Sequence, residues 1–313
     1  MRGSSIKKQK GAALILFFTT IVIAATTIVL SAFNNRSPEV QDRINKQIEM
    51  AKIKEQLLGY ALNFADYNAS DDGPGRLPCP DTNNDGAANC SPLRTLGRLP
   101  ESLVTPSSGP IYLSDRYAGV DQQFWYAVAP RFRSNSATLN STDNVPANLL
   151  SLDGATAEYA ALIIAPGAAL DSQSRSAGVQ FASYLESASS FTATTFTTED
   201  ATDSSLFNDS IIGITGDEVM TFATLRAMLE FKRLMLARLP FIANTLPANL
   251  TVFQTLLVTL GASNWFVSDD WMGAIDSYTA VSATVADLKF QNCNIVYTID
   301  FVADTVTRAP LSC

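Results

Sequence analysis

Asp81, Asn83 and Asp85 alternate along the chain, and Gly86 follows them. This D-x-N-x-D-G spacing opens a calcium loop of the EF-hand or dockerin type, with hard oxygen donors at odd positions and then a glycine for the sharp turn. The seventh position, Ala87, offers a backbone carbonyl, and the ninth, Asn89, offers an amide oxygen or holds a water. The twelfth, where a bidentate Glu completes such loops, is Pro92, so calcium here requires a carboxylate from elsewhere in the chain. The competing reading is a metal-free turn, because Asp and Asn side chains also bond nearby backbone N–H groups of their own turn. Cys79 and Cys90 bracket the segment, and a bridge between them would staple either structure.

Other chemistry is sparser. The chain has no histidine, which removes the Ser-His-Asp and Cys-His nucleophile systems and the usual zinc-hydrolase ligands. Adjacent acids at Glu199-Asp200, Asp217-Glu218 and Asp269-Asp270 read as solvated loops or helix starts, whereas glycoside hydrolysis needs two carboxylates facing each other across a cleft. No enzyme is expected. Trp265 and Trp271, with Phe266, Tyr278, Asp269 and Asp270, form a candidate aromatic and acidic binding patch. A core-and-turn segment is the alternative for the same residues.

The four cysteines allow three connectivities. The two local pairs, Cys79 with Cys90 and Cys293 with Cys313, are preferred because each closes a short loop. The chain has 313 residues and a formal charge of −8. Residues 1–11 hold Arg2, Lys7, Lys8 and Lys10 and no acid, so the remainder carries about −12. That balance argues against nucleic acid and against a polybasic membrane patch. It suits an exported domain, where disulfides persist.

The elements that must position these residues begin with the N-terminus. No charged residue occurs between Lys10 and Arg36, and an apolar stretch longer than about 18 residues is long enough to cross a bilayer as one helix. Ser37 and Pro38 suit an N-cap and first turn, so the helix is kinked or restarted there. Beyond them Val40, Ile44, Ile48, Ala51, Leu58, Leu62 and Ala65 recur at helical intervals and form the expected apolar face. From residue 67 onward Gly, Pro, Asn, Asp, Ser and Thr become dense, which marks a change to a globular head. Short apolar runs at Phe124–Val128, Tyr159–Ala165 and Ile211–Ile214 punctuate it, and Ile295–Val302 reads as a strand. A helix is expected from Gly216 to about Arg238, stopped by Pro240, with acids early and bases late. Residues 183–205 read as a surface loop or an irregular strand pair. The expected fold class is α+β: a long N-terminal helix, transmembrane over 12–35 and amphipathic over 37–66, packed on a large C-terminal α/β head (67–313) with an antiparallel sheet.

A secretory signal peptide is cut after its apolar core. Here the small-residue junction, Gly11/Ala12, precedes the core Ala12-Ala13-Leu14-Ile15-Leu16. In this the chain resembles the type IV pilin-like superfamily, and the alternative is a single-pass anchor that is never cut. The resemblance implies a leader over 1–11, removed after Gly11 by a prepilin peptidase, with methylation of Ala12. It implies an inner-membrane subunit with a periplasmic head, which later enters a filament or reaches the cell surface by packing on other pilins or pseudopilins. Most members carry Glu at the fifth residue after the cut, where this chain has Leu16. That departure resembles minor subunits, including the type II secretion pseudopilin placed at the tip. The last cysteine pair is similar to the C-terminal disulfide loop of pilins. Arg76-Leu77-Pro78-Cys79-Pro80-Asp81, Trp125-Tyr126-Ala127-Val128 and Ile163-Ile164-Ala165-Pro166-Gly167 look like a group of large bacterial pilin-like proteins. The functions implied are a minor pilin, a type II secretion minor pseudopilin, or a membrane-anchored exported binding domain that never assembles.

Overall fold

Strong helix formers open the described chain, and α1 runs Pro38–Tyr67. The structure is a computed structural model describing residues 38–67, 72–91, 94–105, 109–113, 123–170, 173, 175, 180–198, 207–237, 246–258, 264–310 and 313. The chain divides into two units, Met1–Glu49 and Met50–Cys313. Of the first, only the helical residues 38–49 are described, and Lys46 pairs there with Asp42 one turn earlier at 2.9 Å.

The expected membrane-crossing helix is corrected: no described helix is long and apolar enough to cross a membrane. The 30 residues of α1 have the length, but Glu39, Asp42, Arg43, Lys46, Glu49, Lys52, Lys54 and Glu55 charge its first half. The uncharged stretch 12–35, and with it Gly11 and Ala12, lies outside the described residues. The expected apolar face is also offset. The second unit buries Met50, Ile53, Leu57, Ala61 and Phe64, whereas Ala51 is exposed and Leu58, Leu62 and Ala65 are half-buried. Leucines at both 57 and 58 give two stripes one residue apart, and the bulk of Met50 and Phe64 decides between them.

Beyond α1 the order is β1 (Leu96–Arg98), β2 (Ser102–Thr105), β3 (Gly109–Tyr112), β4 (Trp125–Val128), β5 (Ser151–Leu152), β6 (Tyr159–Ala165), β7 (Thr195–Phe196), β8 (Ser210–Thr215), α2 (Gly216–Leu236), α3 (Leu250–Val258), α4 (Trp265–Ser268), β9 (Ile275–Ala280), β10 (Val285–Phe290), β11 (Val296–Asp300) and β12 (Thr305–Ala309). This is α+β with antiparallel sheets, two of them four-stranded among the described residues. The first is antiparallel in the order β1-β4-β6-β8. Its strands β4 and β6 are buried on both faces almost throughout, which is why they read as continuous apolar runs. The second is an antiparallel meander, β9-β10-β11-β12. There Ala286, Leu288 and Phe290 alternate with half-exposed residues, as a sheet with one wet face requires.

Helix α2 connects the layers. Thr215 caps it in a reciprocal box with Glu218. Its apolar stripe, including Val219, Ala223, Ala227, Phe231 and Leu234, is buried. Lys54 of α1 pairs with Glu218 at 2.6 Å and donates to the Gly213 carbonyl at 2.8 Å. Asp66 near the end of α1 pairs with Arg226. On the side of the meander, Thr224 and Tyr297 share a hydroxyl hydrogen bond of 2.8 Å. Cys293 precedes β11 and Cys313 follows β12, and their disulfide, with Cα atoms 4.4 Å apart, clasps the open end of that hairpin.

Candidate functional site

The Asp81 loop is built as its spacing suggests, closed by the Cys79–Cys90 disulfide with Cα atoms 5.1 Å apart. Asp81 is 2% exposed because its backbone exchanges hydrogen bonds of 2.9 and 2.7 Å with Arg98 of β1. That approach requires Gly97, where a Cβ would stand 2.4 Å from the Asp81 carbonyl oxygen. Asp81 Oδ1 accepts the N–H groups of Asn83 (3.1 Å) and Asn84 (2.6 Å), and Oδ2 accepts that of Gly86 (2.8 Å). Asp85 Oδ1 accepts from Ala87 N at 2.9 Å, and its Oδ2 from the Asn83 amide at 2.8 Å. Those two bonds hold the Asp85 carboxyl below its usual range. Gly86, at φ +87°, takes the left-handed conformation the turn needs.

All four carboxylate oxygens of Asp81 and Asp85 already accept N–H donors, and Asn83 turns its amide N–H, not its oxygen, toward Asp85. The Asn89 N–H goes to the Pro80 carbonyl at 3.1 Å. Among the described residues no group of three or more acidic, His or Cys side chains is placed to hold a metal. The loop is an Asx turn docked on β1. Asp81→Ala therefore orphans three backbone N–H groups and is expected to cost about 1–3 kcal/mol with or without calcium, as urea midpoints in each buffer would show.

The aromatic and acidic patch is corrected more strongly. Trp271 is fully buried, Asp269 is 1% exposed, Trp265 is half-buried, and only Asp270 faces solvent. Asp269 forms a two-pronged pair with the buried Arg76, at 2.6 Å (Nη1 to Oδ2) and 2.9 Å (Nη2 to Oδ1). It also accepts the Gly73 N–H at 2.7 Å, while its carbonyl takes the Asn140 amide at 2.8 Å. Arg76 reaches the Gly73 carbonyl at 2.9 Å as well. The residues read as a surface for a partner are thus an internal lock between the 72–76 loop, the 140 turn and α4. Sequence showed adjacent acids and nearby tryptophans, but nothing that linked Arg76 to Asp269 across 193 positions.

A further site left no sequence signature. It is Asp209, 1% exposed, whose Oδ2 accepts the N–H groups of Glu186 (2.9 Å) and Ser187 (3.1 Å). Burial first, then the Glu186 charge, pushes its carboxyl up to about 6. The folded state therefore binds this proton more tightly than the unfolded chain, whose value is near 3.9. The stability this group contributes is full below about pH 4 and is lost as pH rises toward about 6, by up to ~3 kcal/mol. Asp209→Asn keeps an acceptor for both N–H groups and should remove that slope, read as the difference between the two pH–stability curves. Comparison with protein-family models, with curated proteins and with solved structures finds no match to this chain.

Proposed function

We propose that this chain is a minor subunit of a type IV pilus or a related filament. Residues 1–11 are its leader, cut after Gly11 by a prepilin peptidase, and Ala12 is then N-methylated. The apolar stretch 12–35 holds the chain in the inner membrane before assembly, with the rest in the periplasm, and afterwards packs against other subunits in the filament. Residues 67–313 are the head that primes assembly, adheres, or touches a secreted substrate. The observation that carries this reading is the order of the N-terminus: basic residues, then Gly11, then an uncharged run to Arg36. The clasped C-terminal hairpin supports it as well. Leu16 in place of an acid favours a second form of the same reading, a minor pseudopilin of a type II secretion system, because the subunit then lacks the carboxylate that would meet a neighbour's N-terminal amine in lipid.

Mass spectrometry of the native N-terminus tests the proposal. A polypeptide starting at methylated Ala12 and co-purifying with fibres or their assembly machinery supports it. A native start at Met1 overturns it in favour of an anchored binding domain that never assembles.

A further inference from the structure

Glu186 and Asp209 each hold the other's backbone. Asp209 Oδ2 accepts the N–H groups of Glu186 and Ser187, and Glu186 Oε2 accepts the N–H of Asn208 at 3.3 Å. The second Glu186 oxygen, Oε1, accepts the Gln173 amide. Gln173 in turn folds its own segment: its Oε1 accepts the Leu170 N–H at 3.2 Å, and its N–H goes to the Leu170 carbonyl at 2.8 Å. Asn208 completes the knot, with its amide 2.8 Å from the Ala168 carbonyl. Gly167 comes so near that a Cβ there would stand 2.0 Å from Asn208 Oδ1. Three stretches of chain meet here: the one leaving β6, the one before β7 and the one entering β8. Side chains join them, and two carboxylates carry most of the joints.

Two carboxylates in one knot repel each other when both are ionised, and burial penalises the charged form of the inner one. Asp209 is the inner one, at 1% exposed, while Glu186 is half-buried. The charge that bears on Asp209 is that of Glu186; the Ser187 hydroxyl and the two N–H partners favour the anion and are outweighed. On the stretch leaving β6, Arg175 donates to Gln173 Oε1 at 3.4 Å. Strand β8 brings no titratable side chain. We propose that Glu186 and Asp209 form a proton-operated latch: one proton held by the pair keeps the three stretches stitched, and its loss drives the Glu186 side chain into solvent and releases Asn208 and Gln173. Water then reaches Asp209. The closed site holds its proton with a value of about 6, against about 3.9 for a solvated aspartate. The latch is therefore shut below about pH 5 and loosens as pH rises through about 6. It does not depend on the filament reading.

Hydrogen exchange of the full-length protein in detergent tests this, read at single amides at about pH 5 and about pH 7 and corrected for the intrinsic exchange rate. The N–H groups of Leu170 and Asn208 report the latch, and those of Leu162 and Ile163 in the central strand β6 report unfolding of the whole body. Protection of the latch amides is expected to fall about tenfold between the two pH values. At the higher pH it should also lie about tenfold or more below that of β6. Asp209→Asn keeps an acceptor and has no charge to gain, so its latch amides should be equally protected at both pH values. Glu186→Gln removes the repelling charge and should show a smaller fall than the wild type. Latch amides as protected as β6 at the higher pH place the proton's effect on global unfolding and overturn the proposal. A wild-type fall that persists in Asp209→Asn, or one undiminished in Glu186→Gln, overturns it as well. Should Asp209→Asn not fold cooperatively, the wild type and Glu186→Gln decide.

Discussion

Replacing Asp269 by Ala is expected to remove about 3 kcal/mol of folding stability, because it leaves the buried Arg76 guanidinium with only the partly exposed Asp72 carboxylate, 3.7 Å from Nη2, as a counter-charge. Arg76 is fully buried and Asp269 is 1% exposed, so solvent can neither screen nor replace the pair. The loss extends past the two charges. Asp269 also holds the Gly73 N–H at 2.7 Å, and that donor is left without an acceptor. Arg76→Met should cost a comparable amount for the mirror-image reason. The double replacement, Arg76→Met with Asp269→Ala, leaves neither charge buried and should recover part of the loss, with a coupling of about 1–3 kcal/mol in a double-mutant cycle. Urea midpoints of the four proteins, at unchanged slope, give the answer. A wild-type midpoint for Asp269→Ala would mean that water fills the site.

Opening the Cys293–Cys313 bridge, by Ser at both positions, is expected to cost about 3 kcal/mol. The bridge spans 20 positions against 11 for Cys79–Cys90, so on loop entropy alone it should be the more costly to lose by about 0.5 kcal/mol. Its surroundings point the same way. Cys293 is 2% exposed, and the Cys313 N–H donates to Thr221 Oγ1 of α2 at 2.9 Å. Without the bridge the chain end is held on α2 by that contact and its neighbours alone. Free-thiol titration of the wild type and unfolding midpoints of the two double-serine variants would rank the bridges.

Much of the scaffold was legible from local pattern. The helix expected from Gly216 to about Arg238 ends at Leu236, because its cap, its early acids and its apolar stripe are all local signals. The runs at Tyr159–Ala165 and Phe124–Val128 are strands β6 and β4, since strands covered on both faces show as continuous apolar sequence. Both cysteine pairings expected from short loop closure are present. What escaped was non-local. Strands β9 and β10 carry Asp276, Asp287 and Lys289 on half-exposed or exposed positions, so their apolar alternation is diluted by charge. Among the described residues of the 183–205 segment the strand is the two-residue β7, paired in parallel with β5, too short for any period to register. The candidate sites share one feature that composition hides. Asp81 and Asp269 have the composition of ligands, yet their oxygens are taken by N–H donors that only the folded backbone brings near. For the membrane-crossing helix, sequence hydropathy pointed to 12–35, while the helix the structure describes begins at Pro38.

The two sheets differ in how far apart in the chain their neighbours lie, and this sets an order of assembly. In the meander each strand pairs with the next one made, β9 through β12 within residues 275–309. The first sheet instead joins β1 to β4, β4 to β6 and β6 to β8, from Leu96 to Thr215, across connections that must first be closed at an entropic cost. The meander therefore has the shorter search, and the strands of the first sheet have the longer. During that interval β6, whose Ala160–Ala165 run is buried when folded, remains a bare apolar ribbon.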